Sequence, residues 1–197
     1  MPAVSATDPR VKRTRQRLQE ALVELLAEKS FDAITVQDIA ARSTINRATF
    51  YAHFADKQAL FASFTREWFR QALRRRVGDD AGFTHSNLRL LILASMEAVA
   101  EMDDHCHPTE TMKPVMMSAV QEELSALLLD WLERAPVARP EPAVPLAMSA
   151  AGLSWAIFGT ALDWSRMTER SPAERTASHV ADLLTAGLAR VLGDVKD

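Results

Sequence analysis

Apolar residues recur along this chain at three- and four-residue intervals and nowhere in strict alternation, a pattern that predicts helices and no strands. Val11, Leu18, Ala21, Leu22, Leu25 and Leu26 form the first stripe, with Arg13, Arg15, Arg17 and Glu24 elsewhere around the wheel. That helix is expected to end near Lys29-Ser30. Thr35, with Asp38 three residues on, makes an N-cap and a relative of the capping box for a short helix at 36–42. Ser43-Thr44-Ile45 forms a turn. Asn46 then caps a second short helix, 47–53, with Phe50 and Phe54 facing inward. Asp56 caps a long helix through Leu60, Phe61, Phe64 and Trp68 to the Arg74-Arg75-Arg76 cluster, stopped at Gly78.

The remainder reads as further helices. One covers about 84–102, with Leu88, Leu91, Ile92, Ser95 and Val99 as its inner stripe. Pro108 and Pro114 are expected to break the next stretch into a short helix at 109–112 and a longer one at 114–134. Residues 135–145 hold four prolines and form an irregular connection. A long helix follows at 146–169. Ser171-Pro172-Ala173-Glu174 is a strong helix start, and the last helix runs to Leu192 before Gly193. The expected fold is therefore all-α with nine helices.

Composition agrees, with six glycines in 197 residues and an apolar set rich in Leu and Ala. No uninterrupted apolar run approaches the roughly 18 residues of a membrane span. The first eight residues lack the features of a signal peptide. A single cysteine, Cys106, excludes an intramolecular disulfide and suits a reducing compartment, so a cytoplasmic location is expected. The net charge of −3 hides a division. Residues 1–76 carry 14 Lys and Arg against 8 Asp and Glu, a net +6, whereas residues 77–197 carry 9 against 18, a net −9. A basic head on an acidic body points to a polyanion as the head's partner.

Inside the head, two short helices joined by a tight turn, the second polar and partly basic, describe a helix-turn-helix. Ile39, Ala40, Ile45, Phe50 and Phe54 supply the packing face. Arg47, Ala48, Tyr51 and His53 are left on or near the outer face. Arginine reads guanine bidentately, alanine touches a thymine methyl, and Tyr51 and Lys57 can hold phosphates.

The stretch from Phe31 to Phe61 resembles the signature of the TetR family nearly end to end. The most specific parts are Thr35-Val36 with Ile39-Ala40, then Thr49-Phe50-Tyr51-Ala52-His53-Phe54, then Lys57 and Leu60. The resemblance covers about the first 70 residues. It implies that Gln37, Arg47, Ala48, Tyr51 and His53 lie near bases or sugars, and that Thr35, Thr49, Tyr51 and Lys57 contact phosphates. It implies a helix-turn-helix domain at 1–55 and a ligand-binding and dimerisation domain at 56–197. It also implies a homodimer on a palindromic double-stranded DNA operator, and release by a small-molecule effector that favours a wider spacing of the recognition helices. One departure is Thr44, where the family usually has glycine: a left-handed turn there would strain a β-branched residue by roughly 1 kcal/mol or more.

The body supplies further candidates. Met96, Met112, Met116, Trp155 and Phe158 are of the type that lines an adaptable cavity, with Asp163 and Glu97 as polar anchors; ordinary core is the competing reading. Gly152, Ala156, Gly159 and Thr160 place small residues at helical spacing. Val180, Leu184, Gly187, Leu188 and Val191 form a terminal apolar stripe. Together they suit a two-fold four-helix interface, with intramolecular packing as the alternative. Asp103-Asp104-His105-Cys106-His107 has metal-ligand chemistry, but adjacent side chains diverge, and partners such as Glu101 or His85 would be needed; no metal or cofactor is assigned. Enzyme signatures are missing: Gly152-Leu153-Ser154 lacks the second glycine of a nucleophile elbow, and no phosphate-binding glycine loop is present. The rival reading is a helical sequestering protein or enzyme whose basic head is incidental.

Overall fold

Asp8 opens the first helix by accepting a hydrogen bond from the Arg10 amide at 2.8 Å, and Pro9 occupies the first helical position, where no amide donor is needed. The computed structural model describes residues 8–106, 109–135 and 144–192, with side chains described apart from those of 103–106 and 189–192. The described residues form eight α-helices and no strand: α1 (Pro9–Glu28), α2 (Val36–Ser43), α3 (Arg47–His53), α4 (Lys57–Val77), α5 (His85–Cys106), α6 (Met112–Arg134), α7 (Leu146–Ser165) and α8 (Ala173–Leu192). A single 3-10 turn, Phe31–Ala33, joins α1 to α2.

Eight rather than nine follows from one proline. Pro114 is the third residue of α6, in the first turn, where its missing N–H costs no helical hydrogen bond, so the expected break there does not occur. The cluster at Asp103, Asp104, His105, Cys106 and His107 lies outside the described side chains.

The chain divides into two compact units. The first holds described residues 8–66 and 109–119. Its core joins Leu18, Leu22 and Leu25 of α1 to Phe31, Ile34, Ile39, Phe50, Leu60 and Phe61, with Met112 completing it. The Phe31 and Phe61 rings meet at 5.3 Å. The predicted domain 1–55 falls inside this unit, which also takes the start of α4.

The second unit holds described residues 67–106, 120–135 and 144–192. Here α5 packs against both α7 and α8. Leu88, Leu91, Ile92, Met96, Trp131 and Ile157 are among its buried side chains. Arg70 binds Glu123 bidentately, its Nε and Nη2 donating to the two carboxylate oxygens at 2.6 and 2.8 Å, tying α4 to α6 within this unit. Gly78, at φ +82°, takes the left-handed conformation that ends α4. One helix, α7, is long and apolar enough by length and composition to cross a membrane, although the sequence offers no unbroken apolar run. It buries Ala150, Leu153, Ile157, Phe158 and Ala161 within the unit.

Candidate nucleic-acid interface

The first unit holds two short helices in a fixed geometry, and each fixing element is local. The Thr35 hydroxyl accepts from the Asp38 amide at 3.1 Å while the Asp38 carboxylate accepts from the Thr35 amide at 2.8 Å, a complete capping box. The Thr35 hydroxyl also lies 2.8 Å from that carboxylate, and Lys29 pairs with it at 2.8 Å. Lys29, then Thr35, hold the Asp38 carboxyl far below the usual carboxylate range. Arg42 bridges back to α1 through Glu28 at 2.8 Å and Glu24 at 3.3 Å.

The turn resolves the question raised by Thr44, which adopts φ 57° and ψ 35° and is the one non-glycine residue with positive φ among the described residues. The left-handed turn is therefore kept without glycine. The Ile45 amide reaches the Ala40 carbonyl at 2.9 Å, and the buried Ser43 hydroxyl donates to Ile39 at 2.7 Å, so the end of α2 is satisfied. Asn46 then caps α3 by accepting from the Thr49 amide at 2.7 Å.

On α3, Phe50 is fully buried and Phe54, which follows the helix, is nearly so. Arg15 stacks over the Phe54 ring at 4.5 Å and donates to the Ser63 hydroxyl. With that side locked, Arg47, Ala48 and Tyr51 stand exposed, Tyr51 at 51%. Gln37 on α2 is exposed as well. Among the described residues, the side chains of Gln37, Arg47 and Tyr51 make no hydrogen bond or ion pair. Thr49 and His53 are half-buried, and desolvation, aided by the Arg15 charge, holds the His53 imidazole below its ordinary value.

Lys57 is placed differently. Its ammonium donates to the carbonyls of Phe31 at 2.8 Å, Asp32 at 3.1 Å and Ile34 at 2.8 Å, and sits 4.7 Å from the Phe31 ring centre. Three donors meet three acceptors.

The residues considered for an effector cavity are divided between the two units. Met112 is in the core of the first unit and Met116 packs against it. Met96 and Phe158 are buried in the second. Asp163 is exposed, Glu97 pairs with Arg76 at 2.6 Å, and Trp155 stands 56% exposed with its edge toward Phe158. His85 pairs with Asp182 at 2.8 Å. Of the residues considered for an interface, Gly152 is exposed, Ala156, Gly159, Val180 and Leu184 are half-buried, and Leu188 is buried. Leu183, at 63% exposed, escaped the sequence reading because it lies off the stripe that contains Leu184 and Leu188.

A capped helix, a left-handed turn and a second helix with its apolar side locked and its polar side bare define a helix-turn-helix, the architecture of a DNA-binding domain. Residues 18–64 match the profile of the bacterial regulatory proteins of the tetR family. The chain is 52% identical over 54 residues to YxbF and 40% identical over 52 residues to YdeS, both HTH-type transcriptional regulators of Bacillus subtilis (strain 168). Those stretches are 27% and 26% of this chain, and they span only 14% and 26% of the two relatives. Among solved structures, a TetR-family regulator from Streptomyces coelicolor A3 superimposes with a TM-score of 0.59 at 16% identity, over 92% of this chain and 98% of the other. Thermus thermophilus FadR, a TetR-family transcriptional repressor in complex with lauroyl-CoA, does so at 0.55 and 20% identity, over 88% and 94%. At that identity the likeness is one of fold. Residues 18–64 are thus a tetR-family helix-turn-helix domain, and the sequence likeness is confined to that N-terminal part of the chain.

Proposed function

We propose that the chain is a cytoplasmic transcriptional repressor that binds a palindromic operator as a homodimer and is released by a small, largely apolar effector. The observation that carries this reading is the outer face of α3. Among the described residues, Arg47 and Tyr51 stand exposed with no side-chain hydrogen bond or ion pair, on a helix fixed from behind by Phe50 and Phe54. In this reading Gln37, Arg47 and Ala48 meet base edges, Thr49 and Tyr51 meet phosphates, and His53 approaches the groove as a neutral imidazole. Thr35 and Lys57, whose donors already serve Asp38 and the 31–34 carbonyls, act by positioning the helices.

Exposed apolar side chains on α7 and on α8 support dimerisation. Met148, Trp155 and Leu183 are all more than half exposed. A Cβ added at Gly152, Gly159 or Gly187 would meet nothing within 4 Å, so packing inside one chain does not require small residues there. Close approach of a partner helix does. Trp155 accordingly belongs to this interface and not to the effector cavity. For the effector, the lauroyl-CoA carried by the Thermus protein makes an acyl thioester the first ligand to try.

Fluorescence anisotropy with duplex from upstream of the chain's own gene tests the reading. A salt-sensitive preference for that duplex over a scrambled one is expected. Equal affinity for both, or no binding to either, would discard it in favour of a sequestering protein.

A further inference from the structure

The cations of α1 divide by face. At 3.6 residues per turn, Arg10, Arg13 and Arg17 fall within about 60° of one another, and all three are exposed. Arg15 lies on the far side, against Phe54. Lys12, also exposed, is about 100° or more from each of the three. Among the described residues, the side chains of Arg10 and Arg13 make no hydrogen bond or ion pair, and Arg17 makes one long contact, 3.4 Å to the Thr44 hydroxyl.

Acidic groups follow on the same face, but they are engaged. Glu24 and Glu28 bind Arg42, and Glu20, at the edge, accepts from Gln16. The N-terminal half of the face therefore keeps its positive charge. Its position matters as much as its sign: the Arg17–Thr44 contact puts this face at the turn that launches α3. In a helix-turn-helix the recognition helix presents its N-terminal residues to the base edges, so the strand bordering the groove passes this turn.

We propose that Arg10, Arg13 and Arg17 form a phosphate track, one guanidinium for each of about three phosphates on the strand flanking the site read by α3. The seven steps from Arg10 to Arg17 rise about 10 Å, close to three phosphate steps of about 3.4 Å along one strand. The track lengthens the duplex that each protomer covers and adds affinity without base preference. It rests on the DNA-binding reading above and extends it to a second surface.

The test uses the full chain and a duplex that it selects from a random-sequence pool, in two lengths: with its flanks, and trimmed to the base pairs whose identity selection has set. Wild type is expected to prefer the longer duplex. The triple variant Arg10→Gln/Arg13→Gln/Arg17→Gln should bind both lengths alike and keep the same base preference. On the longer duplex its salt slope should fall in magnitude by about 3 per protomer, at about 0.9 for each phosphate lost. Lys12→Gln, the loss of one charge on another face, should leave the slope unchanged. Should the triple variant unfold, Arg10→Gln/Arg13→Gln, which removes no side-chain hydrogen bond or ion pair among the described residues, decides the matter with a fall of about 2. A wild-type slope in these variants would overturn the track and leave the DNA-binding reading standing, as would a fall of about 1 from Lys12→Gln alone, which would reveal diffuse charge. A wild-type chain that selects no duplex would take both down.

Discussion

Thr44 and Lys57 show how single residues set the angle of α3. Thr44 holds a left-handed backbone that costs a β-branched residue about 1–2 kcal/mol, of which glycine's greater freedom in the unfolded chain would return about 0.5–1. Thr44→Gly should therefore stabilise the chain by about 0.5–1 kcal/mol, read as a raised Tm in thermal unfolding; an unchanged or lower Tm would mean the turn is not strained. Lys57 holds the chain between α1 and α2 by its carbonyls. Lys57→Met keeps the aliphatic stem, removes the three hydrogen bonds, and should cost about 1–3 kcal/mol in denaturant unfolding. The salt slope of DNA binding should stay as it is, because the charge is turned inward. A slope smaller by about 1 would return Lys57 to the phosphates.

At the scale of elements, α2 is held at its start by charge and α3 by a neutral cap. The native Asp38 carboxyl titrates far below its unfolded value of about 3.9, so the unfolded chain takes up the proton first as pH falls. The stability that this cap contributes is complete above about pH 5 and drains away below pH 4. Tm measured from pH 6 to pH 2 should fall less steeply for Asp38→Asn than for wild type, from a lower starting point; parallel curves would show that the pairing is not formed in solution. For α3 the test is specificity. Arg47→Ala should cost about 1–3 kcal/mol, concentrated at one base pair of each half-site in competition binding. A uniform loss across all operator variants would make Arg47 a backbone contact.

For the whole molecule, the proposed homodimer would need two copies of α3 held at a set distance, since one half-site alone loses most of the contacts. Leu183 is 63% exposed and Gly152 sits in open space, so charge can be introduced at either without disturbing the fold of one chain. Leu183→Arg and Gly152→Arg should each yield folded monomer by light scattering and lose operator binding in step. Folded monomer that binds the full palindrome at wild-type strength would separate the two functions.

The helices and the DNA-binding domain were legible in the sequence because their signals are local: apolar residues three and four apart, Asn46 and Asp38 as caps, and a continuous run of family-like residues from Phe31 to Phe61. Position within a helix also explains why the break expected at Pro114 is absent, since a proline in the first turn leaves no donor missing and α6 runs through it. What sequence spacing could not decide was which of two similar residues meets a neighbour. Lys57 and Arg47 are both cations of the first unit, yet one is spent on the carbonyls of the 31–34 segment and the other makes no side-chain hydrogen bond or ion pair among the described residues. Trp155 and Phe158 are aromatics three residues apart on α7, yet one is exposed and the other buried. Those outcomes depend on groups distant in the chain, and only the packing of α1, α4, α5 and α7 on their neighbours brings such groups within reach.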